Sequence, residues 1–355
     1  GTNRYTKRET TDEATLRRLI RKRNDAVLIK TLEVRQLTKV LGTYINGWTP
    51  GTDGLVHATP GFWGKMFRIS WRRPNLGATI ADKDEEAVAK GFRKCVTPAS
   101  DDEWIVEGDW VGMEALLVGY FADDPDYMRL SQLGVHSFLL SHMIGEPADL
   151  SWPDADLKAL FKELKGRDRK RYDDAKHTTY LTNYGGTPRL ISLLYGVTEK
   201  AAKEIQGLYF ELFSKVHQWQ KRTIEQASKQ AFLTLPFGYK MWFWEVQRWD
   251  SKKGTWVLGE DAKSALSFMP RDTGAFILRE TLLRLRDQAD AGVLRMSIHD
   301  SIGGIVRSRD RDAFALRLKR EMEAPVPQLN GLVLPAQIRV GHNWHGDSME
   351  DWDEG

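Results

Sequence analysis

Apolar positions recur at helical spacing over residues 15–45, basic early and amphipathic later, which predicts one helix there. Residues 46–64 are rich in Gly, Pro and Thr and read as an irregular connection. EWIVEGD, 103–109, alternates like a strand running into an acid, and 111–121 switches to helical spacing. Helices are predicted over 126–143, after a loop in 151–160, over 169–184 with Gly185-Gly186 as a left-handed stop, and from a Thr198 cap to about Gln230. Residues 233–244 are aromatic and extended, and 261–289 and 311–322 are helical. Between those helices, RMSIHDSIGGIVRS (295–308) alternates apolar and polar on both sides of His299-Asp300-Ser301, a strand, turn, strand pattern. The tail 332–344 reads as strand and turn. The fold class is α+β, a small sheet with two Asp-bearing tips among many helices, without internal repeats.

The 355 residues, 41% hydrophobic, suffice for a large core in two or three lobes. A net charge of +3 is too weak to argue for nucleic acid by itself, but basic residues cluster at 16–23 and 164–172. Such runs serve as solvated faces or as contacts to a polyanion. The lone Cys95 excludes internal disulfides and Cys-rich zinc sites, and reads as a half-buried thiol in a reducing compartment. No apolar run reaches the length of a membrane span, and no signal peptide is visible. Gly1 in place of Met points to a cut or an added residue.

Three segments carry chemistry. Asp109 ends its strand and Glu114 follows in the next helix; Asp109 could equally be a helix cap. Lys176, Tyr180 and Tyr184 share one helix face, either a snorkelling amphipathic stripe or a cation for phosphate with rings for base and sugar. Asp300 is ordinary turn chemistry or a ligand. Two Asp residues at neighbouring strand ends can hold two divalent cations about 3.5–4 Å apart, as phosphoryl-transfer sites do. Oxygen donors without a His or Cys cluster favour Mg²⁺ over zinc.

Asp109 with Glu114, then Lys176-Tyr180-Tyr184-Gly185, then His299-Asp300, in that order, resemble motifs A, B and C of the family A DNA polymerases. FRISWRRPNL (67–76), LTKVLGTYI (37–45), GVHS (134–137), LPFGYK (235–240) and RVGHNW (339–344) resemble further family segments, so the likeness covers roughly residues 35–345. It implies a right-hand fold without an exonuclease domain: a thumb remnant and connection in 1–65, palm in 66–125 and 266–355 with an antiparallel sheet, and helical fingers in 126–265. It implies template-directed DNA synthesis from dNTPs on primer-template DNA with two Mg²⁺ ions, held by Asp109, Asp300 and the carbonyl of Trp110. Lys176 and His136 would meet the triphosphate. Tyr180 would sit by the sugar, and a Tyr there implies poor rejection of dideoxynucleotides. Tyr184 and Gly185 would lie at the templating base, and Glu114 would occupy the space of a 2′-hydroxyl. Arg68, Asn75 and His299 would face the primer and template. The implied setting is the cytoplasm of a bacterium, perhaps phage-infected, with an organelle second; the likeness leaves any separate exonuclease or accessory partner unspecified.

Three departures stand out. The family's Arg four residues before the motif B Lys is Tyr172 here, with Arg169 and Arg171 as candidate substitutes for the γ-phosphate. Ser301 replaces the family's Glu after His-Asp, and His-Asp-Ser resembles single-subunit phage-type RNA polymerases. Glu114, the 67–76 segment and the compact motif spacing favour DNA. About a hundred residues precede Asp109, so a minimal thumb is expected and no proofreading domain fits ahead of it. A decayed polymerase fold that only binds nucleic acid is a further alternative, opposed by the joint presence of Asp109, Asp300, Lys176 and Tyr184.

Overall fold

A computed structural model describes residues 10–62, 67–79, 91–252, 254–288 and 294–353. The ends of two predicted segments, residues 63–64 and 289, lie outside these. The chain forms two compact units: residues 1–108, 289–318 and 338–355, and residues 109–288 and 319–337.

The predicted first helix is two, α1 (Glu13–Arg23) and α2 (Ala26–Lys39), the second continuing into a π-type turn over Val40–Ile45. Asn24 takes a left-handed conformation and the Asp25 side chain caps Val27 N–H, so a local stop and start interrupt the apolar period. Short strands β1 (Thr59–Gly61) and β2 (Ser70–Arg72) pair antiparallel. Strand β3 (Glu103–Trp110) leads into α3 (Met113–Ala122). The predicted 126–143 helix is α4 (Pro125–Leu133) and α5 (Val135–Met143), parted at Gly134, whose φ of 136° no helix accepts. Next come α6 (Asp154–Arg167), α7 (Arg169–Asn183) and α8 (Pro188–Tyr195), the last opened by a Thr187 cap and a Pro at its first position.

Thr198 caps as expected, but its helix stops early: α9 (Glu199–Leu212) and α10 (Ser214–Gln230) break at Phe213. Its ring is buried 4.8 Å from Tyr127 and 5.0 Å from Tyr209, so core packing overrides the helical period. Aromatic segment 233–244 resolves into hairpin β4 (Phe232–Thr234) and β5 (Lys240–Trp242), followed by an unforeseen hairpin, β6 (Gln247–Asp250) and β7 (Thr255–Leu258). Helix α11 (Ala262–Gln288) precedes the expected hairpin, β8 (Leu294–Ile298) and β9 (Ser301–Arg307), then α12 (Arg311–Met322), β10 (Ala336–Gly341) and β11 (Met349–Asp351). Cys95, expected half-buried, is free and exposed.

The main sheet has the order β11-β10-β3-β9-β8. Its core joins Leu76, Ile105, Ile298, Trp344 and Met349. Trp71 Nε1–H donates to Ser297 O at 2.6 Å, tying the 67–76 segment to β8. The helical unit packs around Leu130, Tyr127, Phe138, Leu139, Phe161, Tyr209 and Trp219. The chain is mixed helix and sheet, as the sequence predicts.

One buried acid holds the sheet. Glu107, on β3, accepts from the Ser301 hydroxyl (3.2 Å) and from Trp344 Nε1–H (3.1 Å), and pairs with Arg339 Nη2 of β10 (3.0 Å). A buried acid in an apolar strand is tolerated only when its oxygens are filled this way. Glu107→Ala strands the indole N–H and the half-buried guanidinium. The expected loss is about 3 kcal/mol in the unfolding of the sheet unit, read from the urea midpoint. An unshifted midpoint would show that the three donors do not depend on Glu107.

Candidate active site

Motif-bearing residues of the helical unit come together around α7. Tyr184 lies one residue past its end, as the C-cap, and Gly185 follows at φ 70°, the left-handed stop that a Cβ would disfavour. Side chains from outside α7 add donors to the carbonyls of this turn. Gln220 Nε2–H donates to Thr182 O (2.6 Å) and Asn183 O (3.0 Å), and Gln206 Nε2–H donates to Gly186 O (2.8 Å). Below them, Tyr209 O–H donates to Asn183 Oδ1 at 2.5 Å, and Asn183 Nδ2–H donates to Tyr127 Oη at 3.0 Å. This buried polar network fixes the turn that presents Tyr184.

Tyr184 O–H donates to Glu114 Oε1, in the first turn of α3, so the acid of the first motif and the last ring of the second touch. Burial, then the Glu114 charge, raises the Tyr184 pKa well above its usual value. The phenol therefore keeps its proton at neutral pH and serves as donor. Tyr180 is exposed and meets the Tyr184 ring edge-on at 5.8 Å. Lys176 is also exposed on α7.

His136, at the start of α5, faces the same helix: its ring is 6.2 Å from Tyr172, edge-on. Burial first, then the charges of Lys176, His177 and Lys165, lower its pKa to about 4. Its Nδ1 is buried without a hydrogen-bond partner. The exposed Lys176 and Lys165 beside this neutral imidazole make an environment that suits an anion. Lys165 Nζ stands 5.2 Å over the Tyr172 ring and the Arg169 guanidinium 5.6 Å from it. Arg169 pairs with Asp173 (3.1 Å), and Arg171, in the first turn of α7, with Asp168 (3.5 Å).

Asp109 is half-buried near the end of β3, and Trp110 is buried beside it with Nε1–H donating to Met322 O at 2.9 Å. In the sheet unit, His299-Asp300 is a two-residue turn between Ile298 and Ser301. His299 has φ 57°, an uncommon conformation for a residue with a Cβ, and such conformations gather at functional sites. Asn75 Oδ1 and His299 Cε1 lie 3.6 Å and 3.9 Å from where a Cβ on Gly77 would stand, so these two expected primer-side residues both border Gly77. Arg68 is half-buried just before β2. Ser301 is buried; its single proton serves Glu107 or Ile298 O (3.0 Å).

Sequence reading missed Glu107, Lys165 and the glutamines. Glu107 carried a signal, being an acid inside an apolar strand two residues before Asp109. Lys165 was hidden in a basic run that reads as solvated surface, and nothing in an amphipathic helix marks Gln220.

Comparison with known proteins places this geometry. The POL domain of Pol1 from M. smegmatis, solved in complex with DNA primer-template and dNTP, shares the fold at a TM-score of 0.74 and 18% identity, over 97% of this chain and 57% of that one. The fold is therefore that of a polymerase domain. A sequence profile of DNA polymerase family A matches residues 1–346, and the chain belongs to that family. It is 22% identical over 340 residues to the thermostable DNA polymerase I of Thermus aquaticus (92% of this chain, 36% of the relative) and 21% identical over 345 residues to DNA polymerase I of Caldicellulosiruptor bescii (94% and 37%). The chain spans little more than a third of the length of these relatives. No helix among the described residues is long and apolar enough to cross a membrane.

The depressed His136 pKa has a pH signature. The folded state resists protonating a group that titrates near 6.5 when unfolded, so its contribution to stability is present above that pH and is lost as the pH falls toward about 4. An NMR titration of the imidazole is expected to give a midpoint of about 4, moved up by Lys176→Ala. A midpoint at the free-histidine value would remove the buried, cation-ringed account of this residue.

Proposed function

We propose that this chain extends a primer on a DNA template, adding dNTPs to the primer 3′-hydroxyl with release of pyrophosphate. The hydrogen bond from Tyr184 to Glu114 carries the reading. It closes two segments 70 residues apart onto one another, on the helix whose exposed face offers Lys176 and Tyr180 and which His136 adjoins. A nucleotide needs those features together: a cation for the triphosphate, a ring by the sugar and a ring by the base.

The residue roles are those that the resemblance to the family implies. Lys176 neutralises the triphosphate. His136, uncharged at neutral pH, lies beside Lys176 at the triphosphate. Glu114, held by Tyr184, obstructs a ribose 2′-hydroxyl, which favours dNTPs over rNTPs. Tyr184 and Gly185 border the templating base; Arg68, Asn75 and His299 border the primer end. Arg169 or Arg171 takes the γ-phosphate after leaving its present Asp partner.

The donors proposed for two Mg²⁺ ions are the carboxyls of Asp109 and Asp300 and the carbonyl of Trp110. All are oxygens, and among the described residues no group of three or more His, Cys, Asp or Glu offers a metal cage of its own. A sparse carboxyl set fits Mg²⁺, which completes its shell with water and substrate phosphates. When bound, the two ions lower the pKa of the attacking hydroxyl and offset charge on the leaving group. The Glu107–Ser301 hydrogen bond supports the assignment, because it ties the strand leading to Asp109 to the residue that follows Asp300.

Primer extension with Mg²⁺ tests the reading. Template-coded products are expected with dNTPs and not with rNTPs. Asp109→Asn and Asp300→Asn each abolish them, and Glu114→Ala admits rNTPs. Arg169→Ala or Arg171→Ala raises the dNTP KM. RNA synthesis by the unaltered chain, or duplex binding with no extension, would overturn the reading in favour of an RNA polymerase or a decayed binding fold.

A further inference from the structure

The exposed indoles of this chain are unevenly placed. Among the described residues, every strongly exposed Trp except Trp152 lies between 242 and 256: Trp242, Trp244, Trp249 and Trp256. They form two pairs. Trp242 and Trp244 stack nearly parallel, centroids 5.8 Å apart at 10°. Trp249 and Trp256 face across the β6–β7 ribbon, 5.7 Å apart and edge-on.

Local anchoring holds these rings outward. Between Trp242 and Trp244, Phe243 turns inward onto Phe268 and donates its N–H to Ala231 O. Asp261 Oδ2 accepts from the N–H groups of Trp244 and Glu245, fixing the base of the ribbon. An edge-on Trp pair also stabilises a two-stranded ribbon, which is marginal alone, so Trp249 and Trp256 have a structural use. That does not account for Trp244, 80% exposed and outside any strand.

Charge and position suggest the occupant. Lys240, Arg248 and Lys252 around the rings are exposed, Lys240 with its Nζ 4.8 Å over the Phe232 ring. Of the acids nearby, Asp261 turns onto backbone N–H groups, Asp250 accepts from Lys252 N–H, and Glu245 is half-buried; Glu260 alone is exposed. Leu258, closing the ribbon, lies 3.9 Å from where a Cβ on Gly185 would stand, so the ribbon begins beside the turn carrying Tyr184.

We propose that the four indoles, with Lys240, Arg248 and Lys252, form a stacking platform for single-stranded DNA, taking unpaired template bases beside the Tyr184–Gly185 turn. Exposed rings accept the faces of any base, and the flanking cations follow the phosphates, which gives sequence-tolerant binding. The template assignment rests on the proposed polymerase activity; the binding itself does not.

Binding of a labelled oligothymidylate of about 16 nucleotides to the full chain, without dNTP or metal, tests it by anisotropy. Trp244→Ala and the double variant Trp249→Ala/Trp256→Ala are each expected to weaken binding by about tenfold or more. Blunt duplex affinity should stay unchanged. Arg248→Glu/Lys252→Glu keeps every ring, weakens binding and flattens its salt dependence. Trp244→Phe restores most of the affinity, and melting curves verify folding of each variant. Wild-type affinity in both Trp variants overturns the platform, as does a self-association, seen by sedimentation, that the Trp variants abolish while oligothymidylate binding persists. If binding behaves as expected but the chain extends no primer, the polymerase reading fails alone. If it extends primers and the variants bind normally, the platform fails alone.

Discussion

The structure turns on one buried side chain. Glu107 sits inside the central strand, where an unpaired carboxyl is costly, and three donors from separate parts of the chain converge on it: Ser301, Arg339 and Trp344. Because side chains alternate along a strand, fixing Glu107 also fixes the face on which Asp109 emerges two residues later. Fixing Ser301 sets the first residue after the His299-Asp300 turn. One acid thus joins β3 to β9, β10 and Trp344, and Ser301 gains a reason to be neutral. A glutamate in its place would bring a second buried negative charge against the first.

The helical unit solves a different problem: a ring must be held at the end of a helix, where backbone carbonyls lack partners. Gln220 and Gln206 supply donors, Asn183 locks into a tyrosine network, and Tyr184 is left to grip Glu114. Burial keeps the phenol protonated while it keeps His136 uncharged, so the same loss of solvent has opposite consequences for charge on an acid and a base. The result is an uncharged phenol and an uncharged imidazole beside exposed cations, an arrangement suited to a ligand that brings negative charge.

Much of this was legible in the sequence. The strand into Asp109, the helix ending at Gly185-Gly186 and the hairpin around Asp300 follow from period and punctuation, and the motif order identifies the family. Long-range constraint was not legible. The break at Phe213 comes from a ring buried against Tyr127 and Tyr209, and the split at Gly134 from a φ that its neighbours do not announce. The β6–β7 hairpin escaped because its aromatic residues point outward, so the apolar-in, polar-out alternation that marks a strand is missing. Lys165, from α6, reaches the Tyr172 ring only through tertiary packing.

The proposed function depends most on Asp109 and Asp300 serving a common pair of divalent ions. Mn²⁺ titration of the complex with primer-template and dNTP, followed by electron paramagnetic resonance, tests it in wild type, Asp109→Asn, Asp300→Asn and the double variant. A shared centre predicts that each single change weakens Mn²⁺ binding and that the double change costs clearly less than the sum of the two. Strict additivity, or a single variant that binds Mn²⁺ like the wild type, would contradict it.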